Sequence, residues 1–377
     1  MRVVFAPDSF KGTATAAQAA AWLAEGWRSV RPGDELVLLP MADGGEGTLD
    51  AVRGAVPDAR RMPVTATGPD DRPVDTEWLL LPDGSGVVEL AGASGILLLD
   101  ELRPTSAHTV GLGEALAAAL DFGVTRLFVA IGGSASSDGG AGLLSALGAV
   151  LVDASGMPVR RGNEGLGGVA SVDLSGLRPP PSGGVVVWSD VSNPLLGSEG
   201  AVAVFGAQKG VTPELAPAME GNLARFADLV EPAVGTRLRD AAGAGAAGGT
   251  GFGLLAWGAT LVSGSRSIAH LIGLPSAVAS ADLVVTGEGR FDAQSARGKV
   301  VTAVAEIARE VPVALVAGSI SGSVGGFAHQ VSLSALAGSS AGPMADSERW
   351  LRSAGAELAQ DWRRGQARSL DSMRSPL

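Results

Sequence analysis

Apolar positions along the chain recur with two periods, and the switching between them sketches an α/β protein. Arg2 to Ala6 is a short apolar run that reads as a strand. Ala16, Ala19, Ala20, Leu23, Trp27 and Val30 then share one helical face, opened by Thr13 or Thr15 as N-cap and ended by Arg31-Pro32-Gly33. Leu36 to Leu39 predicts a second strand, and Leu49 to Val56 a short helix. From Met62 to Leu90 the pattern changes to short strands (Val64–Thr67, Thr76–Leu81, Val87–Leu90) divided by Gly68-Pro69-Asp70-Asp71 and Pro82-Asp83-Gly84, as in an antiparallel meander. Alternation returns with a helix over Thr109–Leu120 and a strand over Thr125–Ile131. Leu143, Leu144 and Leu147 then fall at helical spacing, and Gly148 is a stop.

Ala149–Val152 and Val185–Trp188 predict further strands, with the run 179–184 as a surface loop. The last section alternates again: strand Asp282–Thr286, a helix beginning at Gly298-Lys299, strand Val313–Ala317, a shorter strand near Val331–Leu336, and a helix from Asp346 to Arg364. A chain of 377 residues suggests two domains. Because the last section resembles the first, the two are expected to share one parallel sheet. The predicted organisation is a Rossmann-like domain of residues 1–85 plus 281–377, an inserted α/β domain of residues 86–280, and an active site in the cleft between them.

Composition narrows the chemistry. Hydrophobic residues make up 46% and charged residues 18%, a globular balance, so the 55 glycines point to tight turns rather than disorder. There is no cysteine, which removes disulfides, thiolate nucleophiles and cysteine metal sites and suits a reducing cytoplasm. His108, His270 and His329 stand too far apart for a zinc cluster, and no tyrosine is present to act as acid or base. A net charge of −11 argues against nucleic acid and anionic membranes as partners. No signal-peptide pattern opens the sequence, and no apolar run approaches the ~20 residues of a membrane span, so a cytoplasmic location is expected.

The candidate chemistry sits in turns after strands, where open α/β sheets bind ligands. The most conspicuous turn is Ile131-Gly132-Gly133-Ser134-Ala135-Ser136-Ser137-Asp138-Gly139-Gly140-Ala141-Gly142. Its glycines and hydroxyls either cradle a phosphate at a helix start or serve a tight turn that needs glycine for its shape. Pro7-Asp8-Ser9-Phe10-Lys11-Gly12 and Met41-Ala42-Asp43-Gly44-Gly45-Glu46-Gly47-Thr48 follow the first two strands. Ser189-Asp190-Val191-Ser192-Asn193-Pro194 offers hard oxygens for Mg²⁺ or for a hydroxyl, or else forms an Asx turn. Glu288, Arg290 and Asp292 follow the Asp282–Thr286 strand.

Lysine occurs only at 11, 209 and 299, each beside a glycine, although basic residues number 28. Several turn carboxylates with a Lys or Arg around a phosphate cradle fit Mg²⁺-assisted phosphoryl transfer. No Walker A motif is present. Gly243-Ala244-Gly245-Ala246-Ala247-Gly248 matches the dinucleotide fingerprint formally, but no strand feeds it, so it is read as a Gly/Ala lid or interdomain segment. That also argues against a dinucleotide-dependent oxidoreductase, and the lack of a signal peptide argues against an exported binding protein.

Taken together, Ala6–Gly12, Met41–Thr48, Ile131–Gly142, Asp190–Gly197, Val204–Gly210, Gly243–Gly253 and Thr286–Gln294 closely resemble the bacterial glycerate kinase family that lacks a P-loop, in family order and over nearly the whole chain to Ser319. Two departures stand out: Ser136-Ser137 replaces the usual Thr-Asn, and Ser189 stands where cysteine is frequent. The resemblance implies the two-domain glycerate kinase fold and ATP-dependent phosphorylation of D-glycerate, usually at the 2-hydroxyl. The alternatives are transfer to the 3-hydroxyl or to a related small hydroxy acid.

Under that resemblance Lys11 and Arg290 contact the transferred phosphoryl group or the substrate carboxylate. Asp190 is the base that orients the acceptor, supported by Asn193. Glu288 and Asp292 hold Mg²⁺. Gly132, Gly133, Ser134, Asp138, Gly139, Gly140 and Gly142 cradle the phosphates of ATP. Asp8, Ser9, Asp43, Gly44, Gly45 and Glu46 bind substrate. A homodimer is left open.

Overall fold

The computed structural model describes residues 1–292, 300–321 and 325–374. Its strands are β1 (Arg2–Phe5), β2 (Glu35–Leu38), β3 (Arg60–Thr67), β4 (Pro73–Leu80), β5 (Gly86–Glu89), β6 (Leu127–Ala130), β7 (Val150–Val152), β8 (Ser171–Asp173), β9 (Val185–Trp188), β10 (Thr260–Val262), β11 (Leu283–Phe291), β12 (Val313–Ile320) and β13 (His329–Ser332). Two compact units result: Met1–Ala42 with Asp50–Ala55 and Ser265–Leu377, and Asp43–Leu49 with Val56–Gly264.

The first unit is built on a parallel sheet in the order β13-β12-β11-β1-β2, so the two ends of the chain do share one sheet. The inner strands carry buried apolar runs, Val3–Phe5 in β1, Leu283–Val285 in β11 and Val313–Ala317 in β12, as burial on both faces requires, whereas β2 at one edge and β13 at the other are more exposed. Thr15 caps helix Ala16–Val30 with a reciprocal capping box: its hydroxyl accepts from the Gln18 amide, and the Gln18 side chain accepts from the Thr15 amide. The buried face of that helix includes Ala19, Ala20, Leu23 and Trp27, with Trp27 edge-on to Phe5 at 6.2 Å. Against it lies helix Ser347–Arg374, which runs further than the sequence pattern suggested. Two glycines set that approach. A Cβ on Gly26 would stand 2.0 Å from the Arg352 carbonyl oxygen, and one on Gly355 would stand 2.1 Å from that of Leu23.

The second unit carries the six-stranded sheet β10-β9-β6-β5-β4-β3. The meander β3-β4-β5 is antiparallel, and β5, β6, β9 and β10 are parallel. This pairing moves the expected division between the two parts of the chain. β3 and β4, expected within residues 1–85 of the first domain, hydrogen-bond onto β5 and extend the second unit's sheet instead. At the other end, residues 265–280 join the first unit rather than the insertion. Strands are recruited by whichever edge offers unpaired N–H and C=O groups, and local pattern does not encode that choice. No helix among the described residues is long and apolar enough to cross a membrane.

Candidate active site

In the second unit the four parallel strands end together. Glu89, Ala130, Trp188 and Val262 are paired in register across β5, β6, β9 and β10, so the segments after them emerge at one edge of the sheet. Ligands of open α/β sheets bind at such an edge.

Segment 43–47 packs against this edge. Gly44 has φ +92°, and a Cβ there would meet the Trp188 carbonyl oxygen at 2.6 Å. Its own carbonyl accepts from the Gly132 amide at 2.8 Å. A Cβ on Gly132 would stand 2.5 Å from Gly45 Cα, so backbone meets backbone here and glycine is obligatory. Asp43 accepts from the Gly45 amide at 3.0 Å, while Glu89, buried at the end of β5, accepts from the Gly47 and Leu49 amides. Glu46 is exposed. Asp43 and Gly45 thus shape the segment, and Glu46 is the carboxylate of this turn open to solvent.

Asp190 stands two residues beyond β9, where Ser263, just past the neighbouring β10, donates to its Oδ1 at 2.7 Å. Parallel pairing of β9 with β10 is what brings the two together. A carboxylate oriented by a neighbouring hydroxyl and still partly exposed can accept a proton from a bound alcohol. Three residues on, the Asn193 side-chain amide donates to the Glu199 carbonyl at 2.8 Å, and its own carbonyl accepts from the Gly245 amide. It braces the loop after Asp190.

The loop from Gly132 to Gly142 does lead from a strand into a helix, Ala141–Ala146. Its interior differs from a simple phosphate cradle. Asp138, fully buried, accepts from the Thr109 amide (2.9 Å), the Thr109 hydroxyl (2.8 Å) and the Gly142 amide (3.1 Å) through Oδ2. Through Oδ1 it accepts from Ser136 Oγ (3.1 Å) and the Gly140 amide (3.3 Å). The Gly139 amide goes to the Gly248 carbonyl. The helix start expected to hold an anion is therefore taken up by this chain's own carboxylate, and Asp138, Gly139, Gly140 and Gly142 act as the loop's frame. Of the remaining loop residues, Gly132 and Gly133 follow β6 and are partly or fully exposed, whereas Ser134 is buried. Ser137, at the family's usual Asn position, is buried; Asn163 donates to its carbonyl at 2.9 Å.

The Gly/Ala segment expected as a lid is instead part of the second unit's interior. Gly243, Ala244, Gly245, Ala246 and Gly248 are buried. Ala247, Gly248 and Gly249 all adopt positive φ inside helix Ala246–Ala256. At Gly248 a Cβ would stand 2.0 Å from the Ser136 carbonyl oxygen. The glycines let this kinked helix press against the back of the 132–142 loop.

Sequence reasoning also missed Lys209. It ends a short 3₁₀ turn, Ala207–Lys209, is only 2% exposed, and donates to Ser134 Oγ at 2.6 Å and to the Ser136 carbonyl at 2.5 Å. Burial drives its pKa down to about 7, with Asp138 pulling in the opposite direction. The available signal was its place among three lysines in an arginine-rich chain.

In the first unit, the loop after β1 runs beside β11. The Asp8 amide donates to the Gly287 carbonyl at 2.8 Å, and a Cβ on Gly289 would come within 3.4 Å of the Lys11 amide. Asp8 Oδ1 accepts from the Ser9 amide at 2.7 Å. Asp8, Ser9 and Lys11 are thereby grouped with Glu288 and Arg290. The Glu288–Arg290 stretch lies within β11, not in a turn as expected, because β12 continues alongside it to the Phe291–Ile320 pair. Asp292 lies just past the end of β11. Asp292 is also paired with Arg290 at 3.2 Å. Of the two carboxylates expected to share one Mg²⁺, Asp292 is thus engaged by the Arg290 guanidinium. No cluster of three His, Cys, Asp or Glu side chains able to hold a metal occurs among the described residues. Gly298 and Lys299 lie outside the described residues.

Comparison with known proteins agrees with this architecture. Residues 3–363 match the glycerate kinase family. The chain is 44% identical to a glycerate kinase of Bacillus subtilis (strain 168), over 85% of this chain and 86% of that one. It is 39% identical to a glycerate 2-kinase of Escherichia coli (strain K12), over 89% and 90%. A crystal structure of a candidate glycerate kinase 2 from Salmonella typhimurium LT2 superposes with a TM-score of 0.83 at 37% identity, covering 97% of this chain and 99% of that one. Agreement in sequence and fold over almost the full length places this chain in the glycerate kinase family.

Proposed function

We propose that the chain transfers the γ-phosphoryl group of ATP to D-glycerate, at the 2-hydroxyl, giving 2-phospho-D-glycerate and ADP in the cytoplasm. The observation that carries this is Asp190, a partly exposed carboxylate oriented by Ser263 at the ends of β9 and β10, in a chain whose relatives are named glycerate kinases and glycerate 2-kinase. Asp190 accepts the proton of the acceptor hydroxyl as that oxygen attacks phosphorus and the bond to the ADP oxygen breaks. Lys11 and Arg290 neutralise charge on the transferred group or the glycerate carboxylate.

Gly132, Gly133 and Ser134 face the nucleotide phosphates, and Asp8, Ser9, Gly44 and Glu46 are assigned to substrate. Mg²⁺ prefers one or two carboxylates with water and phosphate oxygens making up the rest of its shell, so a single protein ligand is sufficient. Glu288, buried within β11, is the carboxylate assigned to it, and Asp292 acts through Arg290. When bound, the ion would offset the negative charge of the phosphate oxygens.

The test is purified protein with MgATP and D-glycerate, followed by ³¹P and ¹H NMR. Formation of 2-phosphoglycerate supports the reading. Formation of 3-phosphoglycerate corrects the regiochemistry, turnover only with another hydroxy acid corrects the substrate, and no phosphoryl transfer refutes it.

A further inference from the structure

Lys209 presents an unusual balance of donors and charge. An ammonium carries three N–H donors. Only two find acceptors among the described residues, Ser134 Oγ and the Ser136 carbonyl. The side chain is cut off from water, and a Cβ on Gly248 would stand 2.8 Å from Nζ, so neither solvent nor a larger residue can approach from that side. The charged group that acts on it is Asp138, whose two oxygens are already shared among Thr109, Ser136, Gly140 and Gly142. From the 246–256 helix it meets the Gly248 backbone, and from the segment around Leu102 and Pro104 apolar atoms pack on the adjoining Gly210. With no strong counter-charge in contact, the amine sits near the balance between its charged and neutral forms at about pH 7. Two of its loop partners, Ser134 and the Ser136 carbonyl, belong to the loop assigned to the nucleotide.

We propose that Lys209 is the positioning residue of the 132–142 loop and takes up a proton from solvent when a polyphosphate binds there. As ammonium it grips Ser134 and Ser136 in the binding geometry and supplies the positive charge that the Asp138-capped helix start lacks. An anion over the loop favours the charged form through a low-dielectric interior, and by linkage the charged form favours the anion. This rests on the nucleotide reading of the loop and adds to it a proton that travels with the ligand.

The experiment is titration calorimetry of the full chain with ADP at pH 8, repeated in buffers of different ionisation enthalpy so that the slope counts protons taken up. An amine with a pKa of about 7 is about nine-tenths neutral at pH 8, so wild-type protein should take up most of one proton per ADP. Lys209→Met should bind more weakly with no uptake, and Lys209→Arg, permanently charged, should bind with no uptake. Wild-type binding without proton uptake overturns the proposal, and needs no variant to fold. Equal uptake in wild type and either variant overturns it too. If neither ADP nor inorganic pyrophosphate binds, the loop assignment falls and the proposal with it. ADP binding with the expected uptake but no phosphoryl transfer to glycerate would leave the proposal standing and refute the kinase reading alone.

Discussion

Asp138→Asn isolates what holds the central loop. The carboxylate serves five donors, three on Oδ2 and two on Oδ1. An amide can turn its oxygen toward Thr109 and Gly142 and keep three of them, but its NH₂ then faces the Ser136 hydroxyl and the Gly140 amide. The hydroxyl can rotate to accept; the Gly140 N–H cannot. The three retained bonds drop from charge-assisted to neutral, a loss of roughly 1 kcal/mol each, and one orphaned donor adds about 1–3 kcal/mol. Burying a neutral amide costs less than burying a carboxylate, which returns part of this. The net is about 3 kcal/mol, or about a hundredfold in the local opening equilibrium. Hydrogen exchange read by mass spectrometry on peptides spanning residues 105–112 and 138–146 measures it directly, since local opening is what exchange reports. Exchange in those peptides should speed up about a hundredfold, while peptides from the first unit stay unchanged. If the variant exchanges within threefold of wild type, Asp138 does not frame the loop and the site description is wrong.

Three other outcomes follow from the same reasoning. Gly355→Ala forces a methyl group into the backbone of helix Ala16–Val30 and should destabilise the protein by about 1–3 kcal/mol in denaturant titration, although alanine is the better helix former. Glu231 accepts from the Leu238 and Arg239 amides and from the Arg239 guanidinium, which together hold its pKa at about 2 against an ordinary 4.5 despite burial. Because the folded value is the lower one, its contribution is complete above pH 4.5 and is lost as pH falls through about 2. Glu231→Gln should cost about 2–3 kcal/mol at neutral pH and flatten the fall of the urea midpoint between pH 5 and 2. Asp190→Asn should lower kcat by about 10²–10⁴ with nucleotide affinity unchanged, and near-normal turnover would remove Asp190 from the base role.

Much of the fold could be read along the chain. Strands β1, β6 and β9 announce themselves as apolar runs ending in glycine or polar turns, and Thr15 with Gln18 marks the start of helix Ala16–Val30. These signals are local: burial pattern, capping chemistry and turn residues act within a few positions. The same holds for the motifs, which is why Asp43, Asp190 and Gly132 could be picked out as residues at strand ends. Their grouping is another matter. Ser263 at Asp190, Glu89 at Gly47 and Lys209 beneath Ser134 join residues that are 42 to 75 positions apart, and parallel pairing and helix packing decide those contacts.

The amino-acid sequence by itself determined the α/β class and the glycine turns, because each rests on periodicity or on backbone freedom that single residues carry. Only the tertiary structure decided that β3 and β4 extend the second unit's sheet, that the segment around Gly248 is a packed wall and not a lid, and that Asp138 fills its own helix start. A carboxylate or a lysine looks the same in a sequence whether it faces water, a ligand or five buried donors. What distinguishes those cases is desolvation and the supply of partners, and both exist only once distant segments have closed around it.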